Sequence, residues 1–360
     1  MDNSGNLYGA TQAGGDIHNK YCEGYGCGVI FEFSPSGSGK WKERVLSEIT
    51  DIFTQGRFNS PLALDRSGNL YGCTDLEGTS APMFQLTPGP TAQWNFNPIW
   101  QGCIGVVGLI LDSAGNLYGA FGNGTTGGVS ELSPTSNGWV YTNLYEFCQQ
   151  KGCPDGDRPL APFSWDSKGN LYGTTYDGGY DLPKCYCGVA FQMTPNGDGT
   201  WTYHVMHRFT NGHDGGNPGT GLTVDASGNA YGTAVFGGPH GNGDVYKLTP
   251  AKSGRWKLSV LYGFPNPNNG WAPVANLVFD KAGIMYGIAN GPSGCGYICG
   301  VVFRLSPQTN GTWKYSVVHR FTGSDGNFPN GLTMDSQGNL FGTTQAGGKY
   351  GYGVVFEITP

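Results

Sequence analysis

Residues 166–175 read DSKGNLYGTT, and close copies of the core pentapeptide GNLYG (169–173) return at 5–9, 68–72, 115–119, 228–232, 283–287 (as GIMYG) and 338–342 (as GNLFG). That makes seven copies, about 55 residues apart. A fixed period of this length marks a repeat architecture, in which one supersecondary unit is copied and stacked. Upstream of each copy an alternating apolar segment ends in Asp, as in Leu62, Leu64, Asp65 or Leu222, Val224, Asp225. The Asp opens a turn closed by Gly-Asn, and Leu-Tyr-Gly-Thr-Thr follows. Alternation with period two, broken by Asp and Gly, predicts a hairpin of strands A and B.

Downstream, the pattern aromatic, polar, aliphatic, Ser or Thr, Pro recurs at Phe31–Pro35, Phe84–Pro88, Phe191–Pro195, Tyr246–Pro250, Phe303–Pro307 and Phe356–Pro360, with Ser130 in place of the aromatic in the third copy. This predicts a strand C stopped by proline. Strand D opens on Trp41, Trp94, Trp139, Trp201, Trp256 and Trp313. Four antiparallel strands repeated seven times define an all-β, seven-bladed β-propeller. It is expected as one domain over 1–360, with repeats near 1–60, 61–105, 106–158, 159–217, 218–272, 273–328 and 329–360. Met1-Asp2 aligns with Met334-Asp335, so the first blade lacks strand A and the last lacks strand D, for 26 strands in all. The expectation is a chain trimmed from a longer protein, its incomplete blades merging at a seam or pairing with another copy by strand addition.

These motifs resemble the tandem GloVer (Gloeobacter/Verrucomicrobia) repeat of exported bacterial proteins, with its pattern D-x-x-GNLYGTT-x-x-GG, then VVFELTP, then W and LY-F, across essentially the whole chain. The resemblance implies an extracellular location and brings no established reaction.

Composition agrees with many short strands and tight turns: 63 Gly, 22 Pro and 48 aromatics, from 19 Phe, 9 Trp and 20 Tyr, in 360 residues. Glycine supplies positive φ, and aromatic rings suit a pleated surface. A net charge of −6 with 13% charged residues offers no basic surface for a phosphate backbone, so nucleic acid is not the expected partner. No apolar run is long enough to insert in a membrane as a helix. Ten cysteines without metal-finger spacing point to an oxidising compartment. Most fall in local pairs expected to be disulfides: Cys22 with Cys27, Cys148 with Cys153, Cys185 with Cys187, and Cys295 with Cys299. The single-residue spacer makes Cys185 and Cys187 the least favourable ring, and Cys73 and Cys103 either bridge or stay free.

The repeated Asp2, Asp65, Asp112, Asp166, Asp225, Asp280 and Asp335 form no catalytic ring on this reading, because Asp before Gly-Asn accepts backbone hydrogen bonds. Function belongs where the repeats differ, on loops held by a rigid scaffold. The D-to-A and B-to-C loops share one face, around the expected channel mouth. The former carry Arg57, Asp155, Asp157, Arg158, His213, Asp214, Asn266, Trp271 and Asp325. The latter carry His18, Lys20, Glu77, Tyr176, Asp177, Tyr180, Asp181, His240, Lys349, Tyr350 and Tyr352. Aromatic rings stack on sugar faces and carboxylates bind hydroxyls, so the expected partner is a glycan or other small extracellular ligand. His213, Asp214 and His240 are the candidate catalytic groups. Arg57, Asp155, Asp157, Arg158, Tyr176, Asp177, Tyr180, Trp271, Asp325 and Tyr350 are the candidate ligand contacts. Ordinary Asp-Gly turn chemistry competes for Asp155, Asp214 and Asp325.

Three functions follow: a glycan-binding propeller, a glycan-cleaving enzyme (glycoside hydrolase or polysaccharide lyase) on the same face, or a surface or filament structural protein. No cofactor is required. A Ca²⁺ ion is compatible with the carboxylates but has no loop signature. Nucleophile elbows, phosphate loops and HExxH zinc sites are missing from the sequence.

Overall fold

A computed structural model describes residues 1–19, 22, 26–37, 39–49, 57–58, 60–75, 81–90, 93–103, 108–120, 127–180, 185–266, 270–291 and 299–360. Lys20, Glu77, Asp181 and Cys295 lie outside them. The fold is all-β, a seven-bladed β-propeller of seven antiparallel sheets. Two compact units divide the chain, Met1–Glu146 with blades 1 to 3 and Phe147–Pro360 with blades 4 to 7. Blade 4 is typical: strand A Ser164–Trp165, B Leu171–Thr175, C Val189–Pro195 and D Trp201–Arg208, in the order A-B-C-D. Among the described residues blade 1 holds B, C and D (Leu7–Ala10, Val29–Pro35, Trp41–Glu48). Blade 7 holds only A, B and C (Asn327–Met334, Leu340–Ala346, Val355–Ile358).

The 26 expected strands are joined by two more among the described residues. Arg57–Phe58 and Trp271–Pro273, expected as loop, pair with the far end of strand B in blades 2 and 6. Blade 7 does the same with one bulged strand, where Asn327 faces Ala346. Strand A thus continues into the D-to-A loop past an irregularity. A second such feature recurs between strands C and D, where the register shifts just before the strand-C aromatic, at Ile30/Phe31, Ala190/Phe191, Val245/Tyr246 and Val302/Phe303. Bulges of this kind sharpen the local twist.

The pentapeptide is explained atom by atom. Asp166 Oδ1 accepts the backbone N–H groups of Lys168 (2.8 Å) and Asn170 (3.0 Å), and Oδ2 accepts Asn170 Nδ2 (2.7 Å) and the Tyr172 hydroxyl (3.0 Å). Asp2, Asp65, Asp112 and Asp225 repeat all four bonds. Asp280 makes three, since Ile284 replaces the Asn, and Asp335 makes three, since Phe341 replaces the Tyr. The seven aspartates are therefore turn residues. The first Gly takes a left-handed backbone (Gly169 φ +81°) over open space. The second has another role, because a Cβ on Gly173 would lie 2.5 Å from the Phe191 ring of strand C.

Blades pack through the same motif. In the first unit Tyr8 meets Trp94 and Tyr71 meets Trp139, edge to face at 6.4 and 6.0 Å, and in the second unit Tyr172 meets Trp256 at 6.2 Å. Around these contacts lie apolar clusters such as Tyr172, Ala190, Met206, Phe209, Leu222, Tyr246 and Leu248 between blades 4 and 5. Cys22–Cys27, Cys148–Cys153 and Cys185–Cys187 are disulfides, as is Cys73–Cys103, whose pairing the sequence leaves open. Cys299 is also disulfide-bonded. No helix among the described residues is long and apolar enough to cross a membrane.

Candidate functional site

In blades 4 to 7 the D-to-A and B-to-C loops are joined by a repeated device. Asp157 pairs with Asp177, Gly216 with Phe236, Trp271 with Asn290 and Asn327 with Ala346. The next residue in each blade, Arg158, Asn217, Ala272 or Phe328, has φ between 45° and 56° and directly precedes a proline. Positive φ is uncommon outside glycine, and a bulky residue persists there only when its surroundings hold it. The loop pairing supplies that restraint.

Blade 4 gathers the densest polar group. Arg158 Nη1 donates to Asp177 Oδ2 at 2.6 Å, and its guanidinium lies 5.7 Å from the Tyr176 ring centroid. Asn217, from the loop leading to blade 5, donates to the Tyr176 carbonyl at 3.0 Å and the Tyr186 carbonyl at 3.3 Å. Asp157 Oδ2 accepts the Tyr186 hydroxyl at 2.7 Å, while Oδ1 is buried without a partner. Burial and the adjoining Asp157 push the Tyr186 hydroxyl above its ordinary range. Asp155 Oδ1 accepts the Cys148 N–H at 3.3 Å, which is turn chemistry. Cys148, Cys153 and Asp157 bring three potential metal-ligand atoms within 4.8 Å of one another. The two sulfurs are bonded to each other, so neither is the thiolate that zinc requires.

The connections into blades 5 and 7 carry matching pairs. His207 Nε2 lies 2.8 Å from Asp214 Oδ2, with Thr210 on Oδ1; His319 Nε2 lies 2.9 Å from Asp325 Oδ2, with Thr322 on Oδ1. Burial raises the Asp214 carboxyl, but the His207 and Thr210 bonds outweigh it and hold the group below its usual range. In sequence Asp214 is grouped with His213 and His240 as a candidate catalytic residue. The structure instead pairs it with His207 from the end of strand D and leaves His213 and His240 exposed. Trp271 and Tyr180 are half-buried, and Arg57 pairs through its backbone with Asp75 in blade 2. Tyr350 and Tyr352 are 76% and 88% exposed, with Lys349 Nζ 5.0 Å from the Tyr350 ring.

One residue escaped the sequence reading. Asp244 is fully buried at the start of strand C, with neither carboxylate oxygen hydrogen-bonded. Burial, then the Asp214 charge, raises its carboxyl well above the ordinary range. The available signal is positional, since the same register holds Val189 in blade 4 and Val301 in blade 6. Tyr246, likewise buried with an unpartnered hydroxyl, stands where most blades have Phe.

On the opposite face, a cavity of about 490 Å³ opens between the A-to-B turns of blades 6 and 7, beside Lys281, Tyr286 and Gln337. Its carboxylates, Asp280 and Asp335, are committed to their own turns.

The Gloeobacter/Verrucomicrobia repeat model matches residues 83–290 and 165–360. The chain belongs to that family. No curated protein matches this repeat protein in sequence. Solved structures share its fold at low identity. The periplasmic gluconolactonase PpgL of Pseudomonas aeruginosa is 14% identical with a TM-score of 0.59, over 98% of this chain and 99% of that one. A fungal alcohol oxidase of the AA5 family, in complex with copper, is 15% identical with a TM-score of 0.59, over 99% of this chain and 72% of that one. A Lactobacillus plantarum protein is 12% identical with a TM-score of 0.56, over 88% and 84%. At these identities the likeness establishes the fold alone.

Proposed function

We propose that this repeat protein is an extracellular ligand-binding propeller that recognises a glycan through the D-to-A and B-to-C loops of blades 4 to 7. The observation that carries the reading is the placement of exposed rings. Among the described residues the exposed large aromatics are Phe236, Phe328, Tyr350 and Tyr352; three lie in B-to-C loops, and Phe328 lies at the loop end of strand A in blade 7. Rings held open to water on the same set of loops as Arg158, Asp177 and Asn217 offer stacking surface and hydroxyl partners. The disulfides favour an oxidising, extracellular setting.

The test is a polysaccharide panel read by binding, with Tyr350→Ala/Tyr352→Ala as the comparison. Binding weakened about tenfold or more, roughly the 1.4 kcal/mol of a lost stacking contact, with an unchanged melting temperature supports the reading. Failure to bind any member of the panel, or equal binding by the variant, sinks it.

A second reading, glycan cleavage, is favoured by the oriented His207 and Asp214 pair together with the exposed His213 and His240 of the adjoining loops. New reducing ends or unsaturated uronate absorbance, lost in Asp214→Asn and in His213→Ala/His240→Ala, would establish it.

A further inference from the structure

Blade 5 differs from its neighbours at one buried register. In blades 1, 4 and 7 the residue two past the second Gly of the pentapeptide is Thr (Thr11, Thr175, Thr344) and accepts the N–H of a valine at the start of strand C or just before it, at 3.1 Å from Val29, 3.2 Å from Val189 and 3.0 Å from Val354. In blade 5 the Thr is Ala234, and the residue across the ladder is Asp244. Blade 6 has Ala289 opposite Val301, so losing the Thr does not itself call for a carboxyl.

The surroundings of Asp244 are tight and lack donors. A Cβ on Gly215 of the D-to-A loop would lie 2.8 Å from Asp244 Oδ2, and one on Gly238 of the B-to-C loop 3.0 Å from it. The titratable groups facing it are Asp214 from the D-to-A loop, with His207 beyond, and Tyr246 on its own strand. Strand B presents Ala234 and the strand-D partner is Gly263. Blade 7 is an internal control: its His319 and Asp325 pair forms at 2.9 Å with Val354 in the equivalent place. The His–Asp pair therefore does not depend on Asp244.

We propose that Asp244 is a proton-operated latch on the loop face of blade 5, holding the Gly212–Gly216 and Phe236–Gly238 segments closed while it carries its proton and loosening them when it ionises. A neutral carboxylic acid fits a buried pocket without cations. A carboxylate there faces the negative Asp214 and has no donor, so ionisation is relieved only by letting water in. The sign follows from the raised carboxyl: folding retains a proton that the unfolded chain releases near pH 4, so the contribution of Asp244 to stability is most favourable at low pH and worsens as pH rises. The inference rests on this geometry and is independent of the glycan reading.

The experiment compares the whole chain with Asp244→Val and Asp244→Asn by denaturant unfolding between about pH 4 and pH 8, where one retained proton changes the folding constant by up to about tenfold per pH unit. Both variants are expected to gain on wild type progressively with pH, since every other titrating group is shared. Amide exchange in the Gly212–Gly216 segment should accelerate in wild type beyond the Gly323–Gly326 turn of blade 7, and not in Asp244→Val. A difference that stays flat with pH overturns the proposal. So does a rise in wild-type melting temperature with millimolar Ca²⁺ that Asp244→Val lacks, since that would make Asp244 a cation ligand.

Discussion

Tyr172 of blade 4 presents its ring edge-on to Trp256 of blade 5, with centroids 6.2 Å apart, while its hydroxyl is held by Asp166. One residue of the pentapeptide thereby fixes its own turn and its neighbour blade. Truncation of either ring opens a partly buried gap, so Tyr172→Ala and Trp256→Ala should each destabilise by roughly 2–4 kcal/mol in urea unfolding. Tyr172→Phe loses the two bonds of the hydroxyl, the one donated to Asp166 and the one accepted from Gln192 Nε2, and should cost about 1–2 kcal/mol. Because the two rings share one contact, the double alanine variant should cost less than the sum of the singles.

Asp2, Asp166 and Asp225 make the fold sensitive to acid. Burial raises Asp225, but the bonds from Asn229, Tyr231 and Ser227 prevail and lower it below the ordinary carboxylate value of 3.8. A carboxyl lowered on folding contributes stability above its unfolded value and loses it as pH falls through the folded one. Asp225→Asn should thus weaken the protein near neutrality while flattening the loss below about pH 4. A variant whose acid unfolding profile keeps the wild-type slope would show that Asp225 does not contribute to it.

These turns, the strands and the blade count are legible in sequence because each rests on local chemistry repeated seven times: Asp with Gly-Asn, alternation, and a Pro stop. The irregular features are not. The strand-C bulges at Ala190/Phe191 and its counterparts leave no residue signature, and the extra pairing of Asp157 with Asp177 involves loop residues about twenty apart that differ in every blade. The face of the candidate site follows from strand direction alone. Its partners do not, because Asp214 is brought back to His207 of strand D by a loop with left-handed residues such as Asn211, a path that sequence neighbourhood does not show. Asp244 was visible only by reading one register across blades, where it replaces valine.

Loop length ranks the disulfides. Cys73–Cys103 links strands B and D of blade 2 across 30 residues, whereas Cys148–Cys153 spans 5. In the chain-entropy picture the longer loop contributes roughly 3–4 kcal/mol and the shorter about 2 kcal/mol. Cys73→Ala/Cys103→Ala should therefore lower the unfolding free energy more than Cys148→Ala/Cys153→Ala, measured in denaturant without reductant. The reverse order would mean that the blade 4 loops depend on their bridge for packing as well as for chain entropy.

The two glycines of the pentapeptide should fail differently when a methyl group is added. Gly169 has φ +81° and nothing within 4 Å of a Cβ, so Gly169→Ala meets only the backbone cost of a left-handed alanine, about 1 kcal/mol. Gly173 has no such backbone constraint, but its Cβ would lie 2.5 Å from the Phe191 ring and 2.7 Å from Phe163. Both rings are buried, at 0% and 3% exposure, so neither can swing into solvent. Overpacking of this kind costs roughly 1–3 kcal/mol and is relieved by trimming the obstacle. Gly173→Ala should thus be the more damaging change, and Phe191→Leu should recover part of its loss while doing nothing for Gly169→Ala. Rescue of both variants by Phe191→Leu, or of neither, would show that the second glycine is not there to seat the strand-C ring.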